Sequence, residues 1–482
     1  MTAKTDLETY DLLIDGEFVN AADGERFETV NPATEDTLAK VARGRQEDID
    51  AAVDAATDAF AEWRSTAPQE RGRILNRLAA KIRDEKDRLA ELETLDNGKP
   101  LWHAEADVET CARYFEYYAG AADKVHGKSI PLTDEYTDYT IREPLGVTGQ
   151  IIPWNLPTNI FGRSVAPALA TGNVAVVKPA EQTPLTALEV GRLASEAGVP
   201  DGVLNVVPGF GGEAGAALSA HPDVDGISFT GSVPTGIEVA QTALENVTNV
   251  HLELGGKSPN LVFPDADFEK AIESTKTSIF ANAGQVCSAG SRLLVHEDIH
   301  DEFVDRLVER TKEVSIGAGI DGPEMGPLVS EEQFEKVTKY LEVGREEVGE
   351  PIVGGDVLDQ DGYFVEPTIF DGVDNDMRIA QEEIFGPVLS VIEFSDEQES
   401  FEIANDVEYG LVAGIHTENV GRAHRFAREV DAGQVYVNEW FAGGEETPFG
   451  GFKKSGFGRE KGLDAIDSYT QTKNVCTYIG QD

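Results

Sequence analysis

Apolar and polar positions alternate most legibly between residues 147 and 256. Short apolar runs, read as strands, occur at Val147–Ile152, Val174–Lys178, Val203–Val207, Gly226–Phe229 and Val250–Leu254. Between them, apolar positions recur with a helical period at Ile160–Leu169, Pro184–Ala197, Gly212–Ser219 and Pro234–Leu244. Thr183 reads as the N-cap of the second of these helices, with Pro184 at its first position. Strand alternating with helix four times predicts a parallel sheet covered by helices, an architecture suited to nucleotides.

Ahead of this region, Leu12–Val19 reads as two short strands around an Asp15-Gly16 turn. Asp48–Trp63 and Arg71–Leu95 are helical by period, the second with Ile74, Leu78, Ile82, Leu89 and Leu92 along one side. From Asp267 a second α/β region runs to about Gly451, with no internal repeat or low-complexity linker. Tyr136–Arg142 and Tyr469–Ile479 read as strands apart from both regions. Polar-alternating edge strands of this kind suit pairing with another subunit.

Composition adds a constraint that the pattern does not contain. The 482 residues include 88 Asp and Glu against 40 Lys and Arg, for a formal net charge of −48. Such a surface repels nucleic acid and anionic membranes, so neither is an expected partner. The acids are scattered through periodic segments and not gathered in a tail, as the apolar stripe Phe303, Leu307, Val308 and Val314 illustrates. No apolar run approaches a membrane span, and Met1–Tyr10 is polar and acidic, unlike a secretory leader. Three cysteines, Cys111, Cys287 and Cys476, are too few and too odd in number for a disulfide framework. The cytoplasm is the expected compartment.

Cys287 lies in Asn282-Ala283-Gly284-Gln285-Val286-Cys287-Ser288-Ala289-Gly290, a small-residue turn between a helix and the strand Arg292–His296. Gly284, Ala289 and Gly290 leave room for a substrate beside the sulfur. A lone cysteine is more often an inert buried residue, so its company decides. Glu253 ends an apolar strand in His251-Leu252-Glu253-Leu254-Gly255-Gly256-Lys257-Ser258-Pro259, where a carboxylate must be paired, protonated or functional. Asn155, in Pro153-Trp154-Asn155-Leu156-Pro157, follows the first strand of the sheet, at the carboxyl end where open α/β sheets bind ligands. Gly231-Ser232 opens a helix directly after a strand, and N–H groups there suit a pyrophosphate. The spacing to Gly236 is not that of a P-loop, because Ile237-Glu238 stand where Lys and Ser or Thr are required. Gly209-Phe210-Gly211 is a weaker turn, read first as a tight turn and second as a phosphate contact.

These segments resemble the aldehyde dehydrogenase superfamily over essentially the whole chain. The resemblance is carried by Asp96–Pro100, Pro153–Pro157, Lys178–Glu181, Phe229–Ser232, Glu253–Pro259, Gly284–Arg292, Glu382–Pro387 and Pro448–Gly451 through Ser455-Gly456, in that order. It implies a Rossmann-like parallel-sheet cofactor domain (1–125 and 145–255), an α/β catalytic domain (256–454) and a small β oligomerisation domain (126–144 and 463–482). It implies NAD(P)-dependent oxidation of an aldehyde to a carboxylic acid by a homodimer or homotetramer, with no metal. Cys287 would be the nucleophile that forms a thiohemiacetal and then a thioester. The Asn155 amide and the Cys287 backbone N–H would hold the oxyanion, and Glu253 would activate the hydrolytic water.

The implied cofactor site comprises Ile152, Pro153, Trp154, Lys178, Glu181, Gly211, Phe229, Gly231, Ser232, Gly236, Leu254, Glu383 and Phe385. Lys178 and Glu181 would grip the adenosine ribose, and a carboxylate there favours NAD over NADP. Glu383 would bind the nicotinamide-side ribose, with Phe385 against the nicotinamide region. Arg163, in an otherwise apolar helix, is either a structural ion pair or a reader of a substrate carboxylate through two parallel hydrogen bonds. Family members acting on dicarboxylic semialdehydes often carry Arg here, as do some lactaldehyde enzymes, whereas those acting on betaine aldehyde usually carry an aromatic residue. The implied substrate is α-ketoglutarate semialdehyde (2,5-dioxopentanoate) first, with succinate semialdehyde, lactaldehyde and betaine aldehyde as alternatives. The loop Asn438–Gly444 would form the opposite wall, with Phe441 a contact. Glu253 argues against a CoA-acylating enzyme, and Cys287 against a structural protein or a bare NAD-binding module on the same fold.

The acidic excess itself predicts adaptation to concentrated salt. At about 1 M ionic strength the screening length falls to roughly 3 Å, so crowded carboxylates cease to repel one another. Melting temperature and activity are expected to rise from dilute buffer to molar potassium chloride; equal values in both would remove the adaptation.

Overall fold

The computed structural model describes residues 7–480. The reading of Met1–Asp6 as a polar start and the last two residues of the 463–482 segment fall outside the described residues. The expected strands form the centre of an eight-stranded sheet. Val147–Ile152, Val174–Pro179 and Leu204–Val206 run in parallel on one side, and Gly226–Thr230 and Asn249–Glu253 continue in parallel on the other. Val147–Ile152 and Val174–Pro179 are buried at every position, as a sheet covered on both faces requires. The Leu12–Ile14 and Glu17–Val19 hairpin extends one edge antiparallel to Leu204–Val206. Its turn places Asp15 and Gly16 at positive φ, as a two-residue hairpin loop demands. The other edge is closed by Gly456–Phe457, antiparallel to Asn249–Glu253.

A second, six-stranded sheet is parallel throughout, in the order Thr368–Phe370, Val388–Phe394, Arg292–His296, Pro259–Val262, Val412–His416 and Gln434–Val437. Each of the two large sheets has its own apolar core. Tyr136–Pro144 and Thr470–Tyr478 do stand apart from both: they pair with each other along nine residues, with Ser129–Ile130 added at the edge. Among the described residues no helix is long and apolar enough to cross a membrane, and no His, Cys, Asp and Glu cluster could hold a metal ion.

Two local expectations are corrected. Arg71–Leu95 is not one helix but two, Pro68–Asp84 and Lys86–Asn97, separated at Glu85 (φ −106°, ψ 16°). The Glu85 carboxylate is held there by Arg88 and Arg192, and the bend turns Glu93, Thr94, Asp96 and Asn97 inward. An apolar period cannot register such a bend, because the stripe continues on both sides of it. The second correction concerns the cap. The Thr183 hydroxyl donates to the Trp154 carbonyl at 3.3 Å, and Pro184 is the residue that precedes the helix Leu185–Ala197. The first N–H of that helix is satisfied from a distance, by Asp96 Oδ2 at 3.2 Å.

The inward-turned residues fix the segment that carries Asn155. Lys99, fully buried, donates to Glu93 (2.7 Å) and Asp107 (2.6 Å). These carboxylates in turn accept from the Thr158 backbone N–H and the Asn159 amide, at the start of the helix Pro157–Thr171. Asn97 Nδ2 donates to the Trp154 carbonyl at 2.8 Å. Lys99→Met would leave two buried carboxylates with no cation, a loss of about 3–5 kcal/mol by comparison with broken buried pairs. The expected result is a clear fall in the denaturation midpoint; a change below about 1 kcal/mol would show that the triad is not structural.

Candidate active site

The chain leaves the central strand Val147–Ile152 in one direction for Val174–Pro179 and returns on its other side with Gly226–Thr230. A crevice must open between the carboxyl ends of strands that diverge in this way. A cavity of about 580 Å³ lies there. Cys287, Glu253 and Asn155, brought from three separate segments, all line it. So do Ile152, Pro153, Trp154, Lys178, Glu181, Gly211, Phe229, Gly231, Ser232, Leu254, Glu383 and Phe385.

Gly236, Arg163 and Phe441 do not line that cavity. Gly236 is a packing glycine, since a β-carbon there would stand 2.4 Å from the Leu254 side chain. Phe441 is 37% exposed on its loop at φ 58°, while its neighbour Trp440 is buried and donates from Nε1 to the Ser288 carbonyl at 3.0 Å. Arg163 is buried and ion-paired with Glu460, so its guanidinium is not wholly available to a substrate carboxylate.

The turn before Cys287 uses an unusual backbone. Asn282, Ala283 and Gly284 all have positive φ, at 51°, 53° and 71°. Asn282 Nδ2 braces the run by donating to the Asn155 carbonyl at 3.0 Å, and Gln285 Oε1 accepts from the Val329 N–H at 3.0 Å. The Asn155 side chain donates one amide hydrogen to the Gln285 carbonyl at 2.9 Å, and the other amide hydrogen is left over for a further acceptor. Cys287 is half-buried and rests against an apolar cluster of Leu411, Val412, Tyr436, Trp440 and Phe449. Burial pushes its thiol up to about 12, with the nearby Arg163 charge opposing the rise.

Glu253 is buried at the end of its strand, and neither oxygen has a conventional hydrogen-bond partner. His251 Nε2 lies 3.5 Å from Oε1. Burial raises the Glu253 carboxyl above the usual carboxylate range, His251 and Arg163 pull it back, and Glu460 adds to the rise. Such a carboxylate is a stronger base than a solvated one.

At the end expected to take the cofactor, Lys178 Nζ and Glu181 Oε2 form an ion pair at 3.1 Å. Glu383 accepts from the Gly256 N–H at 2.9 Å, and Gly255 is close enough that a β-carbon would strike the Glu383 carboxylate. Trp154 and Phe385 meet edge to face at 5.3 Å. The expectation for Gly231 is corrected. Its N–H donates to the Glu253 carbonyl at 3.0 Å, because the parallel ladder continues one residue past the strand. What the position requires of Gly231 is room, since a β-carbon would stand 2.5 Å from the Phe229 ring.

Several cavity and charge residues escaped the sequence reading. Gln333 and Lys336 line the cavity from the helix Glu331–Glu347, whose period marks a helix but not what it faces. Lys257 is buried with no partner for Nζ, and burial pulls it down to about 7 with Arg292 adding to the effect. His251 and Glu460 each lay within quoted or adjacent segments, but only the folded chain sets them against Glu253.

The aldehyde dehydrogenase family model matches residues 18–475. The chain is 48% identical to the mitochondrial aldehyde dehydrogenase family 2 member B4 of Arabidopsis thaliana, covering 98% of this chain and 88% of that protein. The structure of an aldehyde dehydrogenase from Bacillus cereus with NAD+ superposes with a TM-score of 0.97 at 46% identity, over 98% of this chain and 97% of that one. Betaine aldehyde dehydrogenase from Staphylococcus aureus with NAD+ gives a TM-score of 0.96 at 40% identity, over 98% of this chain and 95% of that one. With the fold, the motif order and the sequence similarity all in agreement, this chain belongs to the aldehyde dehydrogenase family and is an aldehyde-oxidising enzyme.

Proposed function

We propose that the enzyme oxidises a carboxylate-bearing semialdehyde, α-ketoglutarate semialdehyde first, through a thioester on Cys287. The observation that carries the chemistry is the convergence of Cys287, Asn155 and Glu253 on one cavity. The Cys287 thiol gives up its proton to solvent water, and the thiolate adds to the aldehyde carbon while the second Asn155 amide hydrogen and the Cys287 N–H hold the oxyanion. A bound nicotinamide supplies the hydride acceptor. Glu253 then takes a proton from the water that attacks the thioester. Release to water instead of CoA rests on this carboxylate.

NAD is the proposed cofactor, supported by Glu181 at the ribose end and by the NAD+ complexes of the Bacillus and Staphylococcus relatives. Residues 1–125 and 145–255 are read as the cofactor domain and 256–454 as the catalytic domain. Segments 126–144 and 463–482 are read as oligomerisation strands of a cytoplasmic homodimer or homotetramer.

The substrate reading rests on Arg163. Glu460 engages the Nε side of its guanidinium, but Nη2 is buried with no hydrogen-bond partner. The group lies 5.3 Å over Phe449, a member of the apolar cluster against which Cys287 rests. A carboxylate at the far end of a short aldehyde would satisfy that donor. A charged hydrogen bond is worth about 1.5–3 kcal/mol, so Arg163→Leu is expected to cost roughly 10- to 100-fold in kcat/KM for the semialdehyde beyond its effect on propanal. Equal losses on both substrates would defeat the substrate reading.

Glu253→Gln is expected to release one burst of NADH per active site and then turn over about 10²- to 10⁴-fold more slowly. A full steady rate would mean that another group is the base. Because burial raises the Glu253 carboxyl, the wild-type kcat is expected to fall with acid at a pH above the ordinary carboxylate range. A rate independent of pH across that range would contradict this assignment.

A further inference from the structure

The strand that ends at Glu253 carries a second titratable side chain, His251, two positions earlier and so on the same face. Its imidazole is buried. Nε2 lies 3.5 Å from Glu253 Oε1, and Nδ1 lies 3.5 Å from Ser228 Oγ and 3.9 Å from Glu460 Oε1. The pocket for the ring depends on Gly458, at φ 95°, where a β-carbon would stand 2.0 Å from His251 Cδ2.

The groups facing the imidazole come from four directions. Glu253 shares its strand, Ser228 lies on the neighbouring strand with Tyr469 near it, Glu460 follows Gly458, and the Arg163 charge reaches it from the helix Pro157–Thr171. Two carboxylates therefore bracket the ring, and one guanidinium opposes them.

We propose that His251 is a positioning residue for thioester hydrolysis: as imidazolium it donates from Nε2 toward Glu253, keeping that buried carboxylate ionised and aimed at the water. The inference rests on the reading of Glu253 as the hydrolytic base. In the step itself a water O–H bond breaks and its proton passes to Glu253. The water oxygen bonds to the thioester carbon, and the C–S bond breaks with its electron pair on Cys287. His251 keeps its protons throughout.

The charge balance runs the same way. Burial disfavours the imidazolium, yet Glu253 and Glu460 hold His251 above its ordinary range. Burial raises the Glu253 carboxyl, and His251 counters that rise. Without His251 the carboxylate would hold its proton to higher pH, so the acidic limb of the rate must move up, not down.

The test compares wild-type, His251→Leu and His251→Gln enzymes with NAD and propanal, following the NADH burst, kcat against pH and the melting temperature. In His251→Leu the acidic limb is expected to move up by about one pH unit or more, and the steady rate at neutral pH to fall more than about tenfold. The burst should remain, because thioester formation does not use His251. His251→Gln keeps a donor toward Glu253 and should fall between the two. An unmoved acidic limb in both variants overturns the proposal, as does a burst that shrinks in step with the steady rate. Should melting show that His251→Leu does not fold, His251→Gln decides alone: an upward shift supports the role and no shift overturns it. A Glu253→Gln enzyme that gives no burst would instead defeat the underlying thioester reading.

Discussion

One hydrogen bond, from the Asn155 amide to the Gln285 carbonyl at 2.9 Å, joins the two turns on which the site is built. The first turn leaves the central strand of one sheet, and the second precedes a strand of the other. Neither turn holds its shape alone. Asn282 and Ala283 carry positive φ without being glycine, a conformation that costs of order 1 kcal/mol or more each. That cost is offset across the junction, where Asn282 Nδ2 returns a hydrogen bond to the Asn155 carbonyl. Behind the first turn, the Lys99 triad and Asn97 fix where Asn155 begins. An oxyanion donor must already be in place when charge develops, and this mutual bracing would serve Asn155 in the role proposed for it.

The same junction concentrates charge in a region almost without solvent. Glu253, Glu460, Arg163 and His251 are all buried. A lone carboxylate in such surroundings would take up a proton, and a lone guanidinium would not be tolerated. With His251 as imidazolium the four charges would sum to neutrality, which would let Glu253 ionise while being more basic than a solvated acid. The outer surface follows the opposite logic. A formal net charge of −48 cannot be balanced by internal pairing, although local networks form, such as Arg88 and Arg192 shared between Glu85 and Glu189. Repulsion outside and compensation inside respond differently to salt, because screening reaches exposed charges and scarcely touches buried ones.

What could be read before folding was what local chemistry encodes. Five apolar runs became five parallel strands, and Cys287, Asn155 and Glu253 met in one cavity, because buried strands and family motifs are contiguous in sequence. What could not be read was set by geometry across the chain. The break at Glu85 leaves the apolar stripe intact, so the period runs through it. Gly231 reads as a donor of free N–H groups until the ladder to Glu253 extends by one residue and uses the bond. The helix Leu185–Ala197 takes its first hydrogen-bond acceptor from Asp96, 89 residues away, and no capping rule looks that far. Gln333 and Lys336 reach the cavity from a helix whose sequence marks only its own buried side.

Arg163 shows how the two halves of the site constrain one another. It serves Glu460 directly and helps to lower the Glu253 carboxyl at longer range. If a substrate carboxylate takes the unpartnered Nη2 as proposed, the guanidinium is shared with another anion, and less of its field reaches Glu253. The base would then strengthen when the substrate is bound. The same sharing would place a further carboxylate near Glu460 and Glu253, which only the full positive charge of Arg163 and the imidazolium of His251 can offset. On this proposal, charge recognition at the distal end and proton transfer at the reacting end would draw on the same small set of buried cations. A substitution that improves one of them alters the other, so an uncharged substrate and an anionic one would require different pairings at the same four side chains.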